Sequence, residues 1–387
     1  MIRRSRLFWI LLAMGVLALA GLFLARSAGD DTELAAQVRA TPRSIEGFTR
    51  ASGPQPFDFP TDFGPHPDYR IEWWYYIGNL DTADGRHFGF ELTFFRVALL
   101  PANLAAPRAS DWAANQIYMA HFALTDVSGG QFHAFQRFAR GALGLAGAQA
   151  SPFRVWLEDW QVAQAGEGIY LLKAANEGLA LELRLIDRKG PVPHGEEGYS
   201  QKGPDPGNAS YYYSQTRLQV EGDIYIGDET FAVSGLSWSD HEYSTSVLSA
   251  GQVGWDWFAI QLDDGSEVML YAVRRADGSI DPFSSGTLIE ADGSTQTLGL
   301  EDFAIETLDL WRSPHTDAEY PSGWKLTIPS AGLQLELSPY LLDQELKLST
   351  IYWEGAVEIS GTQHGQPVSG VGYVELTGYA EPFTGDF

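Results

Sequence analysis

Three ionisable residues follow one another in the segment GLSWSDHEYSTS, namely Asp240, His241 and Glu242. Aromatic residues flank this triplet on both sides. In an extended strand, successive side chains point to opposite faces, so Asp240 and Glu242 share one face and His241 takes the other. Burial in an apolar, aromatic environment raises the pKa of a carboxyl group, because it disfavours the charged form. Such a group stays protonated near neutral pH and can act as a general acid.

Aromatic residues that could assist this acid lie in two places. Trp238 precedes the triplet, and Tyr211, Tyr212 and Tyr213 form the run SYYYSQTRL. The negative faces of aromatic rings stabilise a developing cation. General-acid catalysis by Asp240, with aromatic rings around a developing cation, is therefore one hypothesis for this segment. The structural alternative is that the carboxylates solvate a turn at a strand end and the tyrosines pack a barrel.

Several other chemistries are excluded by the sequence. The run HEYST has Thr245 where the zinc motif H-E-x-x-H needs its second histidine, and GLSWS has Ser239 where a nucleophile elbow needs glycine. The eight histidines show no metal-ligand spacing, and the chain has no cysteine. His121, in YMAHFALTD, is predicted as a strand residue that can line a ligand site. Because the hypothesis requires proton transfer alone, we expect no cofactor and no metal.

The composition also limits the possible partners. The 387 residues carry a formal charge of -25, from 50 acidic and 25 basic residues. Nucleic-acid binding is excluded, because phosphates need Lys and Arg to displace their counterions. Apolar residues make up 44 % and aromatic residues 13 % of the chain, enough for a large core and for pockets that hold apolar ligands.

The N-terminus predicts export. Arg3, Arg4 and Arg6 precede an uncharged apolar run over residues 7–24. Residues 1–28 are therefore either a cleaved signal peptide or an uncleaved membrane anchor. Both place the rest of the protein outside the cytoplasmic membrane, in a periplasmic or other extracytoplasmic location. In the second case residues 7–24 anchor the protein to the inner membrane.

The rest of the chain predicts an all-β protein. Residues 29–58 are polar and contain Pro and Gly, which is typical of a linker, and alternating strands follow. Phe88, Phe90, Leu92 and Phe94 are predicted to share one face, and Leu181, Leu183 and Leu185 to point inward. An internal repeat aligns WWYYIGNLDTADGRHFGFELTFFR with WDWFAIQLDDGSEVMLYAVRR, so that Trp73 matches Trp255. We therefore predict two related β-domains, residues 59–244 and 245–387.

Longer motifs point to a family. EWWYYIGNL, HFGFELTFFR, ASYYYSQTRL, GLSWSDHEYS, GWDWFAIQLDDG, YWEGAV and GVGYVELTGY resemble the AttH-like branch of the carotenoid 1,2-hydratase family. The resemblance extends from about residue 57 to residue 387. It implies two tandem lipocalin-like antiparallel β-barrel domains and, in the hydratases, addition of water to an isoprenoid double bond. Some AttH-like members are implied to work beside ABC-type exporters.

The resemblance also implies roles for individual residues. Asp240 falls where the hydratases carry an essential aspartate, and Trp238 where they carry an aromatic residue. Tyr211 and Tyr213 fall where the hydratases have a histidine and a tryptophan. Because of this departure, the proton-transfer role of that histidine passes to another residue, for which His241 is the candidate.

Together these observations predict a protein that binds a hydrophobic isoprenoid or lipid and hydrates or isomerises it by acid catalysis. The candidate catalytic residues are Asp240, His241, Tyr211 and Tyr213. The candidate ligand-binding residues are Trp73, Trp74, Tyr75, Tyr76, His121, Trp238, Glu242, Trp255 and Trp257. A non-catalytic carrier that serves an ABC-type exporter is the alternative, and a structural envelope protein with filled barrels is a third possibility.

Overall fold

Alternation of apolar and polar residues produces strands along almost the whole of residues 45–104, 110, 112–246 and 248–383, which the computed structural model describes. The predicted signal peptide or anchor and the first part of the predicted linker lie outside these residues. The strands are β1 (Ile71–Thr82), β2 (His87–Ala98), β3 (Gln116–Asp126), β4 (Gln131–Arg140), β5 (Ala146–Ala150), β6 (Phe153–Leu157), β7 (Trp160–Gly166), β8 (Ile169–Asn176), β9 (Leu179–Asp187), β10 (Val192–Pro193), β11 (Tyr199–Gln201), β12 (Ala209–Ile226), β13 (Glu229–Ser244), β14 (Gln252–Leu262), β15 (Glu267–Arg275), β16 (Ser285–Ile289), β17 (Thr295–Gly299), β18 (Ala304–Arg312), β19 (Glu319–Ile328), β20 (Leu333–Pro339), β21 (Glu345–Lys347), β22 (Ile351–Gln363) and β23 (Gln366–Thr377).

Helices are short in the described part of the chain. They are single 3₁₀ turns at Thr61–Phe63, Ala102–Leu104, Leu300–Asp302 and Pro329–Ala331. None of the helices among the described residues has the length and apolar character of a membrane-spanning segment.

The strands form two antiparallel sheets, one a nearly closed barrel and the other a half-barrel. The first has the order β4-β3-β2-β1-β13-β12-β9-β8-β7-β6-β5, and β10 and β11 pair with β12. The second has the order β17-β16-β15-β14-β23-β22-β20-β19-β18, and β21 pairs with β22. The predicted all-β, lipocalin-like fold class is thus confirmed. The chain passes from the first sheet to the second between β13 and β14, whereas the predicted domain bounds themselves stay a prediction.

The internal repeat corresponds to equivalent hairpins in the two sheets. In the first sheet β1 lies between β2 and β13, and in the second β14 lies between β15 and β23. Gly85 and Gly265 turn the two hairpins with φ of 87° and 91°. Glycine adopts this left-handed conformation without the Cβ clash that other residues suffer. The Asp-Gly turns that the sequence shares therefore have the same backbone reason in both sheets.

The interior of the first barrel is filled by side chains. Phe88, Phe90, Leu92 and Phe94 all point into one core cluster, as the alternation predicted. Leu181, Leu183 and Leu185 from β9 join the same cluster. Burial of each such side chain contributes about 1.5–3 kcal/mol to folding. A small barrel packed in this way leaves ligand space elsewhere.

The two sheets pack against each other through the outward face of β1 and the repeat-related face of β14. Tyr75 and Ile77 from β1 share a buried cluster with Trp257 and Ala259 from β14. The Nδ2–H group of Asn79 donates to the Gly372 carbonyl oxygen across this contact, at 3.0 Å. The residues that the repeat aligned thus meet at the contact between the sheets.

Candidate functional site

A cavity lies where the two sheets meet, next to the buried cluster that joins them. Its volume, with the open mouth included, is about 1060 Å³. Concave sites with aromatic walls and a few polar groups are typical binding sites for organic ligands. The cavity is lined mainly by aromatic rings, namely Trp73, Tyr75, Phe95, Tyr212, Trp255, Trp257, Tyr271, Tyr352 and Phe383.

Asp240 reaches this cavity because of the pairing register of its strand. In β13 it lies opposite Tyr75 of β1 and opposite Ser214 of β12. Directly opposed residues in antiparallel strands project from the same face. Glu242 is two residues further on, opposite Trp73 and Tyr212, and shares that face. Asp240 and Glu242 therefore share one face of the sheet and their neighbours in the chain take the other, as predicted.

Three donors surround the Asp240 carboxyl group, which is buried. The Tyr212 hydroxyl donates to Oδ2 at 2.5 Å, and Trp238 Nε1–H donates to Oδ1 at 2.6 Å. The Ser214 hydroxyl also donates to Oδ1. A carboxylate offers about four lone-pair positions, so one position, on Oδ2, remains for a proton.

Burial raises the pKa of Asp240 to about 7. The hydrogen bonds from Ser214, Tyr212 and Trp238 oppose this effect, and the nearby Glu242 adds to it. Asp240 forms no ion pair with any lysine or arginine among the described residues. The group is therefore divided between its acid and carboxylate forms near neutral pH, as a general acid must be.

The donors to Asp240 are themselves fixed by the second sheet. Trp257 Nε1–H donates to the Tyr212 oxygen at 3.1 Å. His194 contacts Ser214 Oγ through Nε2 at 2.6 Å and Thr287 Oγ1 through Nδ1 at 2.8 Å. Because Ser214 donates to Asp240, its oxygen accepts from His194, which therefore carries its proton on Nε2. Burial lowers the pKa of this histidine to about 3, so it is neutral.

Glu242 has a different environment from Asp240, although both line the cavity. Its Oε1 lies 3.4 Å from Lys202 Nζ. Burial opposes the charge on Lys202, but Glu242 and Tyr271 outweigh it, and the pKa of the lysine is raised. Lys202 Nζ also lies 3.9 Å from the centre of the Tyr271 ring. Glu242 is thus paired with a cation, whereas Asp240 has no such partner among the described residues.

Further carboxyl groups cluster across the cavity. Glu375 lies opposite Trp257 in the second sheet. Asp240 has the equivalent position in the first sheet, where it lies opposite Tyr75. Burial raises the pKa of Glu375 to about 8. The neighbouring Glu354 also has its pKa raised by burial, and it accepts a hydrogen bond from the Tyr75 hydroxyl at 2.5 Å. Glu354 and Glu375 contact each other, which requires a proton between them.

The structure places three of the four predicted catalytic residues away from this cavity. Tyr213 lies opposite His241 and Tyr211 opposite Tyr243, so all of them project from the other face of the sheet. Tyr211 donates to the Gly53 carbonyl oxygen at 2.9 Å. The tyrosine at Asp240 is the middle one of the run, Tyr212. The register of β12 against β13 explains this placement, because it sets Ser214, rather than Tyr213, opposite Asp240.

On that other face His241 belongs to a buried network around Glu72. His241 Nε2 lies 2.9 Å and His66 Nδ1 2.8 Å from Glu72 Oε1, and Arg96 Nε–H donates to Oε2 at 2.7 Å. His241 Nδ1 contacts the Tyr213 hydroxyl at 2.8 Å. Burial opposes the charge on Glu72, but Arg96 and the two histidines hold its pKa well below its usual range.

His66, Glu72 and His241 are close enough together to ligate a metal ion. Their facing atoms are already paired at hydrogen-bond distance, and Arg96 already neutralises the carboxylate. A guanidinium at a ligand oxygen disfavours a cation there. The network therefore fits a structural role, in which it joins the segment before β1 to the sheet.

The remaining predicted ligand-binding residues divide by strand alternation. Trp73 and Tyr75 line the cavity, whereas Trp74 and Tyr76 point into the core of the first barrel. Because successive side chains of a strand point to opposite faces, only two of these four residues can touch a ligand in the cavity. Trp255, Trp257, Glu242 and His121 also line the cavity, and Trp238 lies behind Asp240 as one of its donors.

The sequence interpretation missed several residues of the cavity. Lys202, Glu91, Tyr352 and Glu375 line it, whereas Ser214 and Glu354 are hydrogen-bond partners of its lining residues Asp240 and Tyr75. Tyr212, which the sequence offered only as an aromatic ring near the acid, also lines the cavity. A signal was present for the glutamates, because GFELTFF, YWEGAV and GYVELTGY each place one carboxyl group inside an apolar strand. Such a residue is expensive to bury unless it has a function or a partner.

Comparison with known proteins identifies the family. The model of the AttH-like family matches residues 50–379. This chain belongs to the AttH-like family. The resemblance predicted from the aromatic motifs is thereby confirmed for the AttH-like branch.

The relatives of this AttH-like protein include a named hydratase. Kievitone hydratase of Fusarium solani subsp. phaseoli is 26 % identical over 211 residues, which are 52 % of this chain and 58 % of that protein. The crystal structure of a putative AttH from Nitrosomonas europaea is similar with a TM-score of 0.76 and 36 % identity, over 86 % of this chain and 99 % of the other. Kievitone hydratase from Nectria haematococca shares the fold at a TM-score of 0.64 and 16 % identity, over 87 % and 98 % of the two chains. The chain thus has the hydratase-type lipocalin-like fold.

Proposed function

We propose that this AttH-like protein binds a hydrophobic ligand with an isoprenoid-type alkene in the cavity and adds water to the double bond by acid catalysis. The observation that carries the proposal is Asp240, a buried acid with a pKa of about 7 at an aromatic cavity. The hydratase among its relatives supports the reaction class.

The chemistry follows from the groups around the cavity. The Asp240 Oδ–H bond breaks and a C–H bond forms at the less substituted alkene carbon, which leaves a tertiary cation. Trp73, Trp257 and Tyr212 present aromatic surface to the cavity and stabilise that cation. Water then adds to the cation and loses a proton. The first step leaves Asp240 as the carboxylate, which its three hydrogen-bond donors stabilise until a proton equivalent to the one that water releases restores the acid.

A carrier for a lipid or isoprenoid would need the same cavity without an acid. A buried carboxyl group without a cationic partner costs several kcal/mol when it is charged. A carrier gains nothing from this cost, whereas an acid catalyst depends on it. The environment of Asp240 therefore favours the enzyme over the carrier.

The experiment that separates the two functions is an infrared titration of Asp240. The spectrum of the Asp240→Asn variant is subtracted from that of the wild type at a series of pH values. We expect the difference to contain a protonated carboxyl band that disappears with a midpoint near pH 7. An aspartate already ionised at about pH 5 would instead support the carrier. Asp292→Asn, at an exposed turn, is the control that should lack such a band.

The extracytoplasmic location and the membrane attachment through residues 7–24 are part of the same proposal. They rest on the apolar segment and its arginine flank. An ABC-type exporter as partner belongs only to the alternative function as a carrier, because it rests on the family resemblance. Cell fractionation with an antibody against the C-terminus would test the location, and protein in the cytosolic fraction would contradict it.

A further inference from the structure

His121 has one ring nitrogen that no group satisfies. It lies on β3, is 1 % exposed and lines the cavity. Its Nδ1 is 2.7 Å from the Tyr352 hydroxyl. Its Nε2 is buried and has no hydrogen-bond partner in the described part of the protein. Buried polar atoms are rarely left in this state unless a ligand, a water molecule or a reaction uses them.

The neighbours of His121 determine which nitrogen carries the proton. The Tyr352 hydroxyl donates to Glu91 Oε1 at 3.1 Å, and the Thr93 hydroxyl donates to the same oxygen at 2.8 Å. Because the only proton of Tyr352 is directed at Glu91, the Tyr352 oxygen must accept from His121 Nδ1–H. When Glu91 is ionised, His121 is therefore the Nδ1–H tautomer, with a free lone pair on Nε2 at the cavity.

We propose that His121 is the base that removes the proton from the water added to the ligand, and that Tyr352 and Glu91 are positioning residues that receive this proton in turn. The inference rests on the proposed hydration and adds the second half of its chemistry. The sequence analysis gave His241 as the candidate for proton transfer and Glu242 as a ligand-binding residue. His241 lies on the far face of the sheet, and Glu242 is paired with Lys202.

The proton transfers balance in this arrangement. The water oxygen forms a C–O bond to the cation, and its O–H bond breaks as the proton moves to His121 Nε2. The Nδ1 proton moves to the Tyr352 oxygen, and the Tyr352 proton moves to Glu91 Oε1. The result is a neutral imidazole, a neutral tyrosine and a protonated glutamate, so no charge is left on the histidine. Before the next turnover the relay runs in reverse, so that Glu91 returns its proton to Tyr352 and Tyr352 returns one to Nδ1, while the proton on Nε2 passes through water to Asp240.

The electrostatics of the three groups support such a relay. Burial lowers the pKa of His121 to about 3, so the ring cannot keep the proton as an imidazolium. Burial raises the pKa of Glu91 to about 7, opposed by its hydrogen bonds from Thr93 and Tyr352, so this carboxyl group can keep it. Asp240 also has a pKa of about 7, so the return of the proton costs little. The other titratable groups that face this region are Tyr75, Glu354, Glu375, Glu242 and Lys202.

The tautomer can be measured without any substrate. Full-length protein labelled with nitrogen-15 in histidine is examined by NMR at about pH 8, and the resonances missing from His121→Gln assign His121. We expect a protonated Nδ1 and an unprotonated Nε2. In Tyr352→Phe neither ring nitrogen has a protein partner among the described residues, so the preference for Nδ1–H should be lost and the Nε2–H tautomer should appear. Glu375→Gln, which changes another buried carboxyl group of the cavity, should leave the tautomer as in the wild type.

A native His121 that carries its proton on Nε2 at this pH, or that is an imidazolium near neutral pH, would overturn the inference. So would a Tyr352→Phe variant with an unchanged tautomer. These results do not depend on turnover. Failure of the proposed hydration gives a different result. The tautomer would then be as expected, but a prenylated phenol would bind to the protein and remain unchanged.

Where the wild type hydrates a prenylated phenol, the role of His121 can be measured directly. Loss of a general base lowers kcat about 100-fold or more, so we expect this for His121→Gln with little change in KM. A His121→Gly variant should recover activity when imidazole is added, which a merely structural histidine would not show. A His121→Gln variant that hydrates at the wild-type rate would overturn the inference even though the proposed function holds.

Discussion

Substitution of Asp240 by asparagine should change how the stability of the protein depends on pH. The pKa of Asp240 is about 7 in the folded protein and 3.8 in its ordinary state. Its contribution to stability is therefore fully present below the ordinary pKa and is lost as the pH rises towards 7. At about 1.4 kcal/mol for each tenfold change, the whole effect is about 4 kcal/mol. About 2 kcal/mol of it falls between pH 5 and pH 7.

The Asp240→Asn variant lacks this loss, because its amide does not ionise. Its unfolding free energy, relative to that of the wild type, should therefore rise by about 2 kcal/mol from pH 5 to pH 7 and level off above pH 8. The other raised carboxyl groups, Glu91, Glu354 and Glu375, occur in both proteins and largely cancel in the difference. The amide can keep the hydrogen bonds from Ser214 and Trp238, so the comparison reports mainly the charge.

The assay is urea unfolding followed by tryptophan fluorescence, at several pH values between about 5 and 8. Asp292→Asn is the matched control. Hydrogen bonds from Ser294 lower the pKa of Asp292, which is therefore ionised throughout this range in both states. Its difference from the wild type should not depend on pH. If the Asp240→Asn difference were equally flat, Asp240 would not be a neutral buried acid, and the reasoning about its role would be refuted.

Three further variants test the placement of side chains. Trp74→Ala should lower the unfolding free energy by about 3–5 kcal/mol, because Trp74 is buried in the barrel core; an unchanged urea midpoint would contradict this. Trp73→Ala should weaken binding of a fluorescent prenylated phenol, because Trp73 lines the cavity; equal affinity in a direct titration would show that it does not touch the ligand. Glu72→Gln should destabilise the protein by about 3–5 kcal/mol, since it leaves the Arg96 charge buried without its partner, while the exposed Glu182→Gln should have little effect in the same unfolding assay.

Much of the fold follows from the sequence because it depends on local patterns. The alternation of apolar residues in β2 and β9 predicted which side chains fill the first barrel. The Asp-Gly turns and the aromatic starts of β1 and β14 predicted that the two hairpins are related. The alternation also separated Asp240 and Glu242 from His241.

The site was less predictable because it depends on pairing between distant strands. Nothing in the tyrosine run indicates that Ser214, and hence Tyr212, shares a face with Asp240; that depends on the register of β12 against β13. Likewise, Glu91 and Tyr352 meet His121 only because the second sheet packs on the first, which brings residues 261 positions apart within hydrogen-bond distance. A single strand contains no information about this contact.

The most direct test of the central claim is a hydration assay in oxygen-18-labelled water. The full-length protein is incubated with a prenylated phenol, and the product is analysed by mass spectrometry beside Asp240→Asn. We expect the wild type to incorporate one solvent oxygen into the product, and the variant to bind the phenol without converting it. Conversion by Asp240→Asn at the wild-type rate, or binding without conversion by the wild type, would contradict acid catalysis by Asp240.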